Sequence, residues 1–407
     1  AIIRGNNGET YQISIGSNGP IWNCNPPVTQ ASAGADQWNL PGIVFNLSGN
    51  SPGSGNSGSW SKISGSGGLI EVNSSPNSVF VRGNDSIYSL EWKIQGGCGS
   101  TKDTAVLRFA PLIENQSCLG ETQITYSGKI YPIVRIGNAC WMAQNLDVGN
   151  RINGSVGQSN NGVIEKFCYN DLSSNCTTTG GMYQWAEAVQ YQNGASNSAS
   201  PNPGFPSKVQ GICPTGWHLP TQQDWCSLVN YYDATKTCQN SGESFPYVGG
   251  ALKSLTNWNT PNGGATNRSG FSAVSNGYHY LGTFSGLGND AGFWSTQDQG
   301  NQATYFWLDY QLSNIGIDQG NKAVANAVRC VKDTLCTPTT SSAGPDQLNL
   351  PGTTATLAAN APAAGETGAW SIVTGSGGSL SSASSRTATF TKGTDSAYTL
   401  VWTITGP

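Results

Sequence analysis

The chain of 407 residues carries 19 Lys and Arg against 23 Asp and Glu, a net charge of −4, and only 10% of it is charged, well under the roughly 25% of an average globular protein. No basic residue has a basic neighbour, which excludes a nucleic-acid footprint or an anionic-membrane patch, and no apolar stretch nears the roughly 20 residues that span a bilayer. With 13 Trp, 15 Tyr and 11 Phe to anchor cores and 53 Gly to turn the chain, the composition reads as ordered, loop-rich, mainly β structure rather than disorder.

From the N-terminus, Thr10-Tyr11-Gln12-Ile13-Ser14-Ile15 alternates as a strand but belongs to no complete unit, so residues 1–24 read as the tail of a preceding module or a donor strand. Ser32 to Gly97 then lies on Ser342 to Pro407 without a gap. AGADQWNLPG matches AGPDQLNLPG, and the pairs Asp36/Asp346, Trp60/Trp370 and Trp92/Trp402 keep one offset. A gapless match of this length means one fold used twice. Val79-Phe80-Val81, the run Tyr88 to Ile94, and Tyr398, Leu400, Trp402 and Ile404 show period-2 strands between Gly/Ser/Asn/Pro turns, the pattern of a small immunoglobulin-like sandwich. The four tryptophans read as core residues. The first copy, residues 25–111, closes with the alternating run Asp103 to Phe109. The second, residues 336–407, stops before its equivalent. Either the chain is a window from a longer repetitive protein, or the N-terminal strand of one copy completes the open sandwich of the next.

The segment between the copies, residues 112–335, has its own motifs. These are Gly128 to Asn138, Trp141-Met142-Ala143-Gln144-Asn145-Leu146, Gly181 to Ala188, and Cys213-Pro214-Thr215-Gly216-Trp217-His218-Leu219-Pro220 running on to Trp225. Gly270-Phe271-Ser272-Ala273, Gly292 to Thr296 and Val328 to Asp333 follow. Thr221 predicts an N-cap for a helix through Trp225, Leu228 and Val229. Tyr183 to Val189 predicts a second short helix, ended at Asn193-Gly194.

In this order the motifs resemble the Fibrobacter succinogenes major paralogous domain family. The resemblance implies an elaborated C-type-lectin-like fold on secreted and surface proteins. The flanking copies resemble sandwich modules of very long, type IX-exported adhesins of gliding bacteria. The expected architecture is therefore mainly β with a small α+β domain: two immunoglobulin-like sandwiches flanking a C-type-lectin-like domain. The expected function is a non-enzymatic extracellular adhesive fibre, with a carbohydrate-binding lectin-like module or a donor-strand filament subunit as alternatives. Its expected partners are neighbouring copies or modules and a surface glycan or protein ligand.

Eleven cysteines without a CxxC pair, beside only His218 and His279, speak for an oxidising compartment and against a zinc site. Cys168 with Cys176, and Cys226 with Cys238, flank short loops, while Cys24 and Cys98 bracket the first sandwich. The lectin-like resemblance implies Cys213 with Cys330. Cys118 and Cys140 stay unassigned, and Cys336 matches a place whose partner would lie past Pro407.

No catalytic residue is nominated. No cysteine has a positioned base, His218 sits in an apolar motif, and Asp290, Asp298 and Asp309 show no spacing that marks a hydrolase pair. The Glu-Pro-Asn, Gln-Pro-Asp and Trp-Asn-Asp signatures of calcium-dependent sugar binding are missing, so no metal residue is named, although Asn/Asp-rich loops could offer a calcium some oxygens. Trp294, Asp298, Tyr305, Trp307 and Asp309, with Tyr310, are the candidate ligand-binding residues. The competing reading places Tyr305, Trp307 and Asp309 in a strand that serves the core. Asp-Ser/Thr-aliphatic triplets at Ser86, Thr104, Thr334 and Ser396 match an O-glycosylation acceptor pattern, although Asp-Ser also favours turns.

Overall fold

The computed structural model describes residues 2–4, 10–16, 19–25, 28–112, 114–198, 204–205, 207–333, 339–362 and 366–405, and before residue 28 it describes the backbone alone. Thr10–Gly16 is a strand, paired antiparallel on one side with Ile2–Arg4 and on the other with Gly19–Asn25. The Cys24 side chain, Thr334 and Cys336 lie outside the described residues.

The first copy folds as two sheets over one core. Gln37–Leu40, Gly99–Phe109, Ile87–Gly96 and Ser57–Ser64 form one sheet in that order, and Val44–Asn46, Val79–Val81 and Leu69–Ile70 the other. Because alternate residues of a strand face opposite ways, Ile87–Gly96 buries Tyr88, Leu90, Trp92 and Ile94, and Gly99–Phe109 buries Ala105, Leu107 and Phe109. Trp60 and Trp92 meet with ring centroids 5.1 Å apart, and Phe80 meets Tyr88 edge-on at 4.9 Å. The second copy repeats this core, with Trp370 and Trp402 at 5.2 Å and Phe390 and Tyr398 at 4.9 Å. Its first sheet is only Thr367–Thr374 with Thr399–Thr405, and among the described residues no strand lies where Gly99–Phe109 lies in the first copy.

The first copy is seated on the middle segment. The Ile43 amide donates to the Tyr232 carbonyl at 2.8 Å, and Ile43 and Val44 are buried in the middle segment's own core. Arg268, paired with Glu114 at 2.8 Å, also donates to the Gly83 carbonyl of the first copy at 3.4 Å. The second copy replaces Ile43, Val44 and Val79 by Thr353, Thr354 and Thr389, all exposed, and so has no comparable apolar face to bury.

Two sheets organise the middle segment. Gln123–Tyr126, Lys129–Ile136, Ala139–Met142, Val331–Lys332 and Trp217–His218 make one; Ser244–Phe245, Ile315–Asn321, Gln302–Asp309 and Asp290–Gln299 make the other. The helix Gln222–Tyr232 begins at Thr221 with a reciprocal capping box to Asp224, which satisfies two otherwise orphaned amides. It drives Trp225 between Trp141, 4.8 Å away, and Phe306, stacked at 5.1 Å. The other expected helix is shorter. Tyr183–Gln184 pairs as a strand with Ala325–Asn326, so the helix is Trp185–Ala188, and Asn193 and Gly194 fall in a separate turn. A cross-strand partner distant in sequence outweighed local propensity there.

Candidate functional site

The motif segments converge on Arg329. Its guanidinium is fully buried and donates to Asn145 Oδ1 (2.5 Å), the Met142 and Phe271 carbonyls (2.9 and 2.5 Å) and the Ser272 carbonyl (3.0 Å). It also lies over the Phe271 ring at 4.3 Å. Burial lowers its pKa, while the fork geometry of guanidinium suits several acceptors at once. Asn145 in turn donates to the Thr179 carbonyl at 2.8 Å, tying in the end of helix Ser173–Thr179. Arg329 thus joins three segments that are far apart in sequence.

Above Arg329 opens a cavity of about 610 Å³, lined among others by Asn115, Gln144, Thr178, Thr256, Asn267 and Ser272. A second depression of about 310 Å³ shares Thr178 and adds Asn257, Trp258, Asn259 and Ser275. The Trp258 indole is oriented by donation to the Ala273 carbonyl at 2.8 Å. Neutral amide and hydroxyl groups beside an oriented indole can hydrogen-bond and stack a neutral polar ligand such as a sugar or a peptide backbone. Its lining is drawn from strand Lys129–Ile136, helix Ser173–Thr179 and the loops around Asn115, Gln144, Thr256 and Asn267; the quoted motifs supply Gln144, Ser272 and Arg329, but spacing along the chain does not show that they meet.

The nominated late-loop residues lie elsewhere. Trp294 is fully buried with its indole N–H on the Tyr183 carbonyl at 2.8 Å, and the Asp298 side chain is sealed against Lys322. Neither offers a ligand a face, which corrects the expectation at these two positions. Tyr305, Trp307 and Asp309 are half-buried on one face of strand Gln302–Asp309, whose Phe306 and Leu308 enter the core. Asp309 accepts from the Gln311 amide at 2.7 Å and stands opposite Asp290 across the ladder. Burial, and then the nearby Asp309 charge, raise the Asp290 carboxyl above its ordinary range.

His218 is buried with one ring nitrogen 2.8 Å from Asp333 and the other 3.1 Å from Asp224. Burial alone would raise the Asp224 carboxyl, but hydrogen bonds from His218 and Thr221 outweigh it and hold the group below its ordinary value. The cluster fastens the helix cap to the final strand. Among the described residues no group of three or more His, Cys, Asp and Glu gathers as metal ligands. Ser86, Thr104 and Ser396 are exposed, and the carboxylates of Asp85, Asp103 and Asp395 each accept from a loop amide at 2.6–2.8 Å.

Four disulfides are described: Cys168–Cys176, Cys213–Cys330 and Cys226–Cys238, as expected, and Cys118–Cys140, which the spacing does not predict. Cys98 is also disulfide-bonded. This much cross-linking marks an extracellular or secreted protein, and no described helix is long and apolar enough to cross a membrane.

Fold and groove together define a mostly β, disulfide-linked secreted class of protein with a polar cleft. More specifically, residues 134–332 match the family model of the Fibrobacter succinogenes major domain, so the chain carries such a domain. No curated protein matches the chain.

Proposed function

We propose that the chain is a non-enzymatic structural and adhesive segment of a bacterial cell-surface fibre: a C-type-lectin-like domain between two immunoglobulin-like sandwiches, exported by the type IX route. The observation that carries this reading is the return of one module after the central domain, with the same paired tryptophans in both cores. A chain that reuses a module builds length. Low charge, disulfides and exposed Asp-Ser/Thr triplets suit a protease-exposed, O-glycosylated stalk. Immunogold labelling of the source cells with an antibody raised against the chain should place grains along fibres outside the cell; label confined to the interior sinks the proposal.

The groove favours a second reading, a glycan-binding module displayed on a stalk. A glycan array probed with the whole chain should show a specific set of neutral sugars, and Trp258→Ala should abolish those signals. An empty array leaves the fibre reading in place and removes the lectin one.

A further inference from the structure

The interior of the central domain holds a lysine and an aspartate in an arrangement that an ordinary ion pair does not explain. Lys322 follows the strand Ile315–Asn321, and Asp298 lies near the end of Asp290–Gln299, on the two sides of Gln302–Asp309. Their side chains are 1% and 0% exposed, with Lys322 Nζ 2.5 Å from Asp298 Oδ1. That is nearer than the roughly 2.7–2.9 Å of charge-assisted hydrogen bonds. Yet the angles are not those of a hydrogen bond, and the lysine nitrogen and both aspartate oxygens have no other hydrogen-bond partner. The Trp185 ring covers the nitrogen at 4.3 Å. Backbone bonds hold the lysine in place: its amide donates to the Asn301 carbonyl (3.3 Å) and its carbonyl accepts from the Trp185 amide (3.0 Å).

A buried ion pair repays its desolvation only when good geometry and further hydrogen bonds satisfy both charges. Here both are missing, while the two groups are pinned in contact and water is excluded, the conditions under which an intramolecular reaction gains most from proximity.

We propose that Lys322 and Asp298 form an intramolecular isopeptide bond. One proton passes from the ammonium to the carboxylate, leaving a neutral amine and a neutral acid. The Nζ lone pair then bonds to Cγ, and the C–O bond to the hydroxyl breaks. The departing hydroxyl takes a second proton from nitrogen and leaves as water. No oxidant or cofactor is consumed, two unsolvated charges disappear, and the remaining amide N–H faces the indole. The bond staples the end of strand Asp290–Gln299 to the residue that follows strand Ile315–Asn321, across the strand Gln302–Asp309 that lies between them. It does not depend on what the groove binds.

The test is the intact mass of the full chain, reduced and denatured. The wild type should weigh one water less than its sequence, and digestion should yield a branched peptide joining the segments that contain Asp298 and Lys322. Lys322→Arg keeps the charge but forms no such bond, so it should recover the full sequence mass and melt at lower temperature. Full mass in the wild type, with linear peptides covering Lys322, overturns the proposal. So does a water loss that persists in Lys322→Arg, which would mark a succinimide. If the variant fails to fold, the wild-type mass and branched peptide still decide.

Discussion

The two copies of the sandwich contain a matched pair of glycines that isolates the seating of the first copy on the central domain. Gly42 and Gly352 occupy equivalent places, and both have positive φ, +68° and +90°. A side chain at either should cost about 1–2 kcal/mol of left-handed strain. Their surroundings differ. A Cβ on Gly42 would overlap the Tyr232 carbonyl oxygen and lie 2.9 Å from its carbon, whereas one on Gly352 meets nothing within 4 Å. Relieving the overlap moves Ile43 away from Tyr232, so the 2.8 Å hydrogen bond between them is put at risk, about 1 kcal/mol. Ile43 and Val44, 3% and 8% exposed, would re-expose apolar area worth about 1.5–3 kcal/mol each if fully uncovered. With only part of that apolar area uncovered, Gly42→Ala should cost about 3–5 kcal/mol against about 1–2 for Gly352→Ala. Urea unfolding gives the totals, and hydrogen exchange by mass spectrometry should show faster exchange in peptides covering Ile43 and Tyr232 only in Gly42→Ala. Equal losses in the two variants, with unchanged exchange at Tyr232, would refute the docking argument.

Arg329→Met keeps an apolar stem but strands three carbonyls and the Asn145 amide oxygen, each worth about 1–3 kcal/mol when buried and unmet. Since a buried charge is also removed, the net loss should be about 2–4 kcal/mol, read as faster exchange in peptides spanning Met142 and Phe271; a loss under about 1 kcal/mol rejects the strut role. Lys253 donates to the Asp309 and Leu312 carbonyls at 3.0 and 2.7 Å, and burial pushes it down to about 8 from 10.5, with Asp309 opposing. The folded state releases that proton before the unfolded chain does. Its contribution is complete above pH 10.5 and is lost as pH falls through about 8, a change of at most about 3 kcal/mol; Lys253→Met should remove this part of the pH slope, and identical slopes reject it. Cys213–Cys330 spans 117 residues and Cys168–Cys176 only 8, so chain entropy makes the first worth about 2 kcal/mol more. Paired alanine variants should melt in that order, and the reverse order would contradict it.

The parts of this fold that could be read from sequence are those set by short-range pattern. Alternation marked Val79–Val81 and the strand containing Trp92, and the Thr221 cap with its apolar stripe marked the helix around Trp225. What failed depends on partners far away in the chain. Tyr183 looks helical until Asn326 pairs with it, and Trp294 looks like a loop aromatic until Tyr183 accepts its N–H. Arg329 lay within a noticed motif, but its role needs Asn145 and Phe271 together, and spacing along the chain does not show that. The repeat held one further legible signal, in its differences rather than its identities. Two copies of one module share their core because the fold requires it. Where they diverge from apolar to polar, the surroundings have changed. Ile43, Val44 and Val79 against Thr353, Thr354 and Thr389 mark the face that one copy buries against the central domain and the other leaves in solvent.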